Sequence, residues 1–203
     1  MITQSLIILY HEFVSKVNIF LLIYTIICVT MIVMKASFTD CYEFTMGNTE
    51  FLCGTQEMIA YYDLFFRKVP ENGGYAIFAG LEKVIQDVRD IKFEEDELVY
   101  LQNNLGLCDE YMNALRNFEL QCDITSVPEG TPIFPSQPIM QVCGPKWQAD
   151  ILEVKLLNSI NYQSLIATKA SRVVQAAGGK GVLEFGARRA QGEDAALWGA
   201  RAA

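Results

Sequence analysis

Histidine and the cysteine patterns of metal sites are almost absent from this chain. Its 203 residues contain one histidine, His11, and six cysteines, none of which forms a Cys-x-x-Cys pair. Structural zinc sites need Cys and His ligands at such spacings, so the sequence predicts no metal site. A chain with 51% apolar residues can bury a core without a disulfide framework. We therefore expect free thiols and a cytoplasmic location.

An excess of basic residues is also lacking. Lys and Arg number 16 against 24 Asp and Glu, which gives a net charge of −8. Nucleic-acid binding needs a basic surface, so a nucleic-acid partner is excluded. A phosphorylated small molecule is not excluded, because a few well-placed arginines can bind phosphate groups.

One long apolar run stands apart from the rest of the sequence. Residues 17–34 carry no charge and are bracketed by Lys16 and Lys35. An uncharged run of this length lies at the lower limit for crossing a bilayer. Two interpretations remain open: a real membrane anchor, or a dispensable extension that precedes a later start at Met31 or Met34. A buried helix or hairpin is a third.

The remaining pattern mixes helices and strands. Apolar positions spaced at three and four residues predict the helix at 81–90, and an acidic first turn favours one at 93–101. A helix at 39–51 is indicated by Thr39 or Asp40 as N-cap, with Glu43 at the position of a capping box. Alternating or aromatic-rich runs between Gly and Pro clusters predict strands. We predict helices at 39–51, 81–90, 93–101 and 111–118, strands at 58–68 and 75–78, a turn at 70–74, and two or three short strands within 124–145.

The last third of the chain reads as helical up to a pair of glycines. One straight helix over 146–177 would reach about 48 Å, so we expect a break near 158–163. A short buried strand is predicted at 182–185, ended by Gly186. These elements divide the chain into an extension at 1–34, an α+β domain at 35–145, and connecting helices with the start of an α/β domain at 146–203.

Two arginines follow that predicted strand directly. Functional residues in α/β barrels lie at the carboxyl ends of strands. Arg188 and Arg189 there could bind a carboxylate or a phosphate with paired donors, and Phe185 could offer a ring face to a planar ligand. Taken alone, such a pair is more often a surface feature or a structural salt bridge than a ligand site.

Four separate segments carry a resemblance to a known family. They are TDCYEFTM at 39–46, DLFFRKVPENGGYAIFAGLE at 63–82, VPEGTPIFPSQPIMQVCGP at 127–145, and NYQSLIATKASRVVQAAGGKGVLEFGARRAQG at 161–192. In content, order and spacing they are similar to nicotinate phosphoribosyltransferases over about residues 36–203. The nicotinamide phosphoribosyltransferases share the pattern in weaker form.

The resemblance implies a reaction, a fold and an assembly. Nicotinate would displace pyrophosphate from 5-phosphoribosyl-1-pyrophosphate (PRPP), with coupled ATP hydrolysis and Mg²⁺, to give nicotinate mononucleotide for NAD biosynthesis. The implied fold is an α+β domain packed on an irregular α/β barrel of the type II phosphoribosyltransferase kind, of which this chain would hold the first strand and helix. The implied assembly is a homodimer with shared sites. The chain also lacks the Asp-Asp pair of the other phosphoribosyltransferase class.

The resemblance also assigns substrate-binding residues. Phe185 and Tyr42 match the two aromatic residues that stack on the pyridine ring, with Tyr42 supplied by the partner subunit. Arg188 matches the arginine beside the pyridine substituent, and Arg67 matches a basic residue that reaches phosphate across the dimer. The whole predicted set is Tyr42, Arg67, Phe185, Gly186, Arg188 and Arg189.

No catalytic residue is assigned, and we expect this polypeptide to be inactive alone. The family continues into glycine-rich phosphate loops and a histidine that ATP phosphorylates, and His11 lies outside the matching region. Two alternatives remain open. One is a nicotinamide-specific enzyme, although an arginine pair suits a carboxylate better than an amide. The other is a non-catalytic relative tethered to a membrane through 17–34.

Overall fold

A computed structural model describes residues 36–89 and 91–203. The apolar run at 17–34, for which a membrane anchor and a dispensable extension were both left open, and His11 lie outside these residues. Within the described part, no helix combines the length and apolar character needed to cross a bilayer. The helices are α1 (Cys41–Cys53), α2 (Leu81–Arg89), α3 (Glu95–Leu105), α4 (Asp109–Arg116), α5 (Lys146–Ala176) and α6 (Glu193–Ala202); the strands are β1 (Ile59–Leu64), β2 (Ala76–Ile77), β3 (Asp123–Ser126), β4 (Pro132–Ile133) and β5 (Met140–Pro145).

The strands form two antiparallel sheets. The larger has the order β1-β5-β3, with Tyr62 opposite Val142 and Ile124 also opposite Val142 on the other side. The smaller pairs β2 with β4. The predictions of strands at the start of the domain and of two or three short strands within 124–145 are confirmed, and the number of short strands is three. β1 is shorter than predicted, and the chain leaves it at Phe65 to enter a loop.

The predicted helices are confirmed, with one difference in how they begin. Asp40 occupies the N-cap position of α1 but makes no side-chain capping bond, and Glu43 is fully buried instead of closing a capping box. The capping box lies at α3, where the Glu94 and Glu97 side chains bond reciprocally to the backbone. Glu43 points inward because it lies on the buried stripe of α1 with Phe44.

The predicted break near 158–163 is wrong, because α5 is one continuous helix of 31 residues. Such a helix is about 46 Å long. The segment contains neither proline nor glycine, and Ser159, Ile160 and Gln163 are buried along one face of it. Gly80 packs so closely on this helix that a Cβ there would come within 2.7 Å of the Ser159 carbonyl oxygen. Packing along its length therefore replaces the turn that we expected.

The predicted buried strand at 182–185 is also wrong. These residues form no strand, and Leu183 and Phe185 are 80% and 73% exposed. An apolar run becomes a strand only where another strand offers backbone partners, and the two described sheets are built from strands elsewhere. The chain then passes Gly186 into a 3-10 turn at Ala187–Arg189.

The core consists of two apolar clusters that share α5. Leu152 and Leu156 pack with the sheets and α2, while Trp147 and Ile151 pack with α1, α3 and α4. The Trp147 ring lies 5.5 Å from that of Phe51, and edge-to-face contacts of this kind fix the position of α1. The described residues thus form a mixed α/β domain, and the division at residue 145 stays a prediction. The described cysteines are free thiols: Cys41, Cys53, Cys108, Cys122 and Cys143.

Candidate functional site

A cavity of about 670 Å³ lies between the end of β1 and one face of α5. Its floor is apolar, because Leu64 and Ile160 belong to or border the core. Arg67 and Lys68, which follow β1 in the chain, line it as well. Asp40 and Glu153 contribute carboxyl groups to the lining. The cavity therefore offers an apolar surface together with two cations and two acids, which suits a small charged molecule.

Tyr42 lies on α1 and is half exposed. It does not line the cavity, but the cavity residue Glu153 acts on it electrostatically. Glu153, followed by Glu43, raises the pKa of the Tyr42 phenol. The phenol therefore stays protonated at neutral pH, and an uncharged ring remains accessible on the surface of the helix.

The Phe185–Arg189 segment forms an exposed turn of its own. Arg188 Nη1 donates a hydrogen bond of 3.0 Å to the Phe185 carbonyl oxygen. The Arg189 amide donates to the Gly186 carbonyl oxygen at 2.7 Å. A Cβ on Gly186 would lie 2.0 Å from Glu184 Oε1, so the exposed Glu184 side chain lies close against the backbone of this turn. The turn holds an exposed aromatic ring and a guanidinium group together.

The six predicted residues thus occupy three places in the described chain. Arg67 lines the cavity, Tyr42 lies on α1, and the other four lie on the exposed turn at 185–189. The structure brings Phe185 and Arg188 together, and it does not bring them to the cavity that contains Arg67.

Helix α6 anchors the exposed turn to the rest of the domain. Arg201 makes a two-pronged ion pair with Glu129, with distances of 3.2 and 2.7 Å. Glu129 Oε1 also accepts hydrogen bonds from the Gly80 and Leu81 amides at 2.6 and 2.8 Å, at the start of α2. The Arg201 guanidinium and these amides hold the pKa of Glu129 below its usual range. The Tyr162 hydroxyl donates to the Ala195 carbonyl oxygen at 2.7 Å.

Sequence reasoning missed the buried Glu43 beside Tyr42. Burial, followed by the Glu153 and Asp40 carboxyl groups, raises its pKa to about 8. The nearby Lys155 is also buried; it donates to the Phe38 carbonyl oxygen at 3.2 Å, and burial lowers its pKa to about 8. The one signal in the sequence is that Glu43 shares the inward stripe of α1.

A second missed group fixes β1 against two helices. Lys146 Nζ bonds to Glu50 Oε1 at 2.7 Å and to Asp150 Oδ2 at 2.5 Å, and the Tyr62 hydroxyl donates to Asp150 Oδ1 at 2.9 Å. Burial opposes the charge on Lys146, but the bonds to Asp150 and Glu50 raise its pKa overall. Burial and Asp150 raise the pKa of Tyr62 to about 12. The i,i+4 spacing of Lys146 and Asp150 was visible in the sequence.

The described residues contain no group of three or more His, Cys, Asp or Glu side chains arranged to bind a metal ion.

The fold identifies the class of protein first. The described domain resembles the nicotinate-nucleotide pyrophosphorylase from Pyrococcus furiosus, with a TM-score of 0.58 at 23% identity, over 81% of this chain and 36% of that one. It resembles human nicotinic acid phosphoribosyltransferase more strongly, with a TM-score of 0.73 at 33% identity, over 80% of this chain and 33% of that one. The mixed α/β domain is thus one found in enzymes of nicotinate nucleotide chemistry.

The sequence comparisons give the family. The family model for the nicotinate phosphoribosyltransferase N-terminal domain matches residues 38–161. The chain therefore belongs to the nicotinate phosphoribosyltransferase family, and the resemblance noted in its sequence is confirmed. The Bacillus subtilis nicotinate phosphoribosyltransferase is 45% identical over 165 residues, which cover 81% of this chain and 34% of that protein. The Mycobacterium tuberculosis (strain H37Rv) nicotinate phosphoribosyltransferase pncB2 is 41% identical over 169 residues, which cover 82% of this chain and 36% of that protein. The chain spans about a third of the length of these curated relatives.

Proposed function

We propose that this chain supplies part of the substrate site of a nicotinate phosphoribosyltransferase. The enzyme would join nicotinate to PRPP, with ATP hydrolysis, to form nicotinate mononucleotide and pyrophosphate in NAD biosynthesis. The observation that carries the proposal is the turn at 185–189, where Arg188 donates a 3.0 Å hydrogen bond to the backbone carbonyl oxygen of Phe185, a largely exposed aromatic residue. Family membership directs that chemistry to a pyridine carboxylate.

The ring of nicotinate would stack on Phe185, and its carboxylate would pair with Arg188. A flat, electron-poor ring gains from contact with an aromatic face, and a guanidinium group binds a carboxylate with two parallel hydrogen bonds. Phe185 is largely exposed, so its ring is open to a ligand. Arg189 would serve as the second cation of this site, and Gly186 would provide the tight turn.

Arg67 would bind a phosphate group of PRPP at the cavity. Lys68 beside it adds a second positive charge, and both residues are exposed at the lining. Arginine suits this role because its planar fork matches the geometry of phosphate oxygens.

The site would be completed in a homodimer. Neither Tyr42 nor Phe185 lines the cavity that contains Arg67, and both rings are open on the surface, which suits a site formed between two copies. Tyr42 is half exposed and uncharged, as a stacking partner must be. By itself this stretch is proposed to bind ligand without turnover, because it spans about a third of its relatives and its single histidine, His11, lies outside the family-matched residues.

Nicotinate titration of the purified chain, followed by calorimetry or NMR, tests the ring and carboxylate assignments. Phe185→Leu is expected to weaken binding about threefold to tenfold through loss of stacking. Arg188→Gln is expected to weaken it by about tenfold or more, since a charge-assisted bond is lost. Phe134→Leu is a matched control, because Phe134 is also an exposed aromatic residue.

Any one of three results would contradict the proposal. The first is that the wild-type chain does not bind nicotinate, and the second is that the Phe185 and Arg188 variants bind it as tightly as the control variant. The third is that nicotinamide binds more tightly than nicotinate. A separate assay with nicotinate, PRPP, ATP and Mg²⁺ checks the expected lack of turnover. Formation of nicotinate mononucleotide by the 203-residue chain alone would refute that part.

A further inference from the structure

The loop at 67–74, between β1 and β2, contains two consecutive residues in a left-handed conformation. Glu71 has φ of 56° and Asn72 has φ of 54°, and neither is glycine. Side chains with a Cβ disfavour this region, so it persists only where surrounding contacts hold it. Gly74 also has a positive φ, at 84°, which costs glycine little, so the strain of the loop lies at Glu71 and Asn72.

Two cations at the end of α5 hold the strained residues. Lys169 Nζ lies 2.6 Å from Glu71 Oε1, and Arg172 Nη1 lies 3.1 Å from Glu71 Oε2. Lys169 first, and then Arg172, hold the pKa of the Glu71 carboxyl below its usual range. The carboxylate is therefore charged at neutral pH and bridges both side chains.

Arg172 reaches further into the loop than this ion pair requires. Its Nη2 donates to the Pro70 carbonyl oxygen at 2.9 Å and to the Tyr75 carbonyl oxygen at 3.3 Å. The guanidinium lies so close to Gly73 that a Cβ there would be 1.9 Å from Nη2. Arg172 thus contacts the backbone on both sides of the strained residues.

The far end of the loop is fixed to the same helix. The Tyr75 and Ser171 hydroxyls are 2.8 Å apart, and Gln175 Nε2 donates to the Tyr75 hydroxyl at 2.7 Å. The Ile77 amide donates to Thr168 Oγ1 at 2.8 Å. The contacts of α5 with this segment therefore run from Pro70 to Ile77.

The near end of the loop carries the cations of the cavity. Arg67 and Lys68 line the cavity with Pro70 and with Thr168 of α5. On the other side, the Ser136 amide donates to the Phe66 carbonyl oxygen at 2.9 Å. The backbone is therefore held by hydrogen bonds on both sides of Arg67 and Lys68: at Phe66 on one side, and at Pro70 and Glu71 by Arg172 on the other.

We infer that Glu71 and Arg172 are positioning residues, whose ion pair holds the 67–74 loop so that Arg67 and Lys68 face a diphosphate-bearing ligand in the cavity. The inference rests on the proposed function, which assigns Arg67 to phosphate. Neither Glu71 nor Arg172 needs to touch the ligand. The ion pair between Glu71 and Arg172 acts by fixing the loop backbone that carries the two long, flexible side chains of Arg67 and Lys68.

The charge of Glu71 makes the inference sharply testable. Four cations surround this carboxylate or lie in its loop, at Arg67, Lys68, Lys169 and Arg172. If Glu71 acted only through charge, neutralising it would raise the local positive potential and tighten anion binding. If it acts by positioning, the same change releases the loop and weakens anion binding. Glu71→Gln therefore gives opposite results under the two explanations.

Limited trypsin digestion reads the loop directly, because trypsin cuts after Arg67 and Lys68. In Glu71→Gln we expect cleavage at these two bonds to become about threefold to tenfold faster, the range set by losing an exposed ion pair that restrains a loop. Arg172→Lys, which keeps the charge but loses the fork, should act in the same direction. Glu57→Gln, an exposed change of the same charge, is the control.

Inorganic pyrophosphate provides the second measurement. Its dissociation constant should rise about threefold to tenfold in Glu71→Gln and stay unchanged in Glu57→Gln. Unchanged cleavage, or pyrophosphate binding that is equal or tighter in Glu71→Gln, would overturn the inference. If the wild-type chain does not bind pyrophosphate, the assignment of Arg67 in the proposed function fails, while the cleavage rates still decide whether the ion pair holds the loop.

Discussion

The buried carboxyl group of Glu43 is expected to make this domain less stable as the pH rises, which is the opposite of the usual effect of a carboxyl group. The side chain is fully buried on the inner stripe of α1. The carboxyl groups of Glu153, Asp40 and Asp150 face it, and burial with these charges raises its pKa from 4.5 to about 8. Lys155 faces it from α5 as well.

The sign follows from proton binding. Between pH 4.5 and 8 the folded protein keeps the proton on Glu43, whereas the unfolded chain releases it. The folded state thus binds more protons, so the free energy of unfolding falls as pH rises through this range. Lys155, whose pKa of about 8 lies below its ordinary 10.5, acts only above pH 8 and in the opposite direction.

The magnitude follows from the two pKa values. A pKa difference of one unit corresponds to about 1.4 kcal/mol. The difference between 4.5 and about 8 then costs the folded state about 1 kcal/mol at pH 5 and about 4 kcal/mol at pH 8, as an order of magnitude. Glu43→Gln removes this titration, so the variant should gain about 3 kcal/mol relative to wild type between these pH values.

Urea unfolding at half-unit steps from pH 5 to pH 8 measures this gain. The exposed Glu119→Gln change removes the same charge from the surface and should follow the wild-type curve. A difference in unfolding free energy between Glu43→Gln and wild type that stays flat from pH 5 to pH 8 would refute the reasoning. It would mean that Glu43 is charged in the folded state.

Two further predictions concern the packing of α5 and are read by urea unfolding at neutral pH. Gly80→Ala should destabilise the domain by more than about 2 kcal/mol, because φ is +111° there and the new Cβ would lie 2.7 Å from the Ser159 carbonyl oxygen. Gly54→Ala is its control: φ is +69° with open space around it, so the loss should be only about 1 kcal/mol; equal losses would contradict the close contact. Leu152→Ala should cost about 2–5 kcal/mol, because the side chain is fully buried in the core; a loss below about 1 kcal/mol would contradict that burial.

Local patterns predicted the elements whose neighbours are close in sequence. The helices at 41–53, 81–89, 95–105 and 109–116 all appeared close to their predicted positions, which rested on apolar spacing, cap residues and an acidic first turn, and the Pro-rich stretch at 124–145 gave three short strands. These segments succeeded because helical spacing and turn residues act within a few positions of the chain. The assignment of the family also came from such short segments, read in order.

The two errors both concern contacts made at a distance. The break at 158–163 was expected from the length of the helical run alone, yet Ser159 and Gln163 are buried against elements that lie far away in sequence. The apolar run at 182–185 looked like a strand, and nothing in its own residues could reveal whether another strand would pair with it.

The candidate site divides in the same manner. Tyr42, Arg67 and the 185–189 turn were named from the sequence, because their residue types and the segments around them carry that information. Their separation into a cavity, a helix surface and an exposed turn could not be read there. Nor could the raised pKa of Glu43, which comes mainly from burial and from the Glu153 carboxyl group 110 positions along the chain.

The sequence by itself determined the family, the order of most elements and the chemical character of the residues proposed to bind substrate. Side-chain types, turn residues and apolar periodicity are local properties, so they can be read directly from the amino-acid sequence. Only the tertiary structure decided that α5 runs unbroken, that the 182–185 segment is exposed, and that Glu71 and Arg172 meet across the strained loop. Each of these depends on contacts between residues far apart in the chain, which exist only once the backbone has folded.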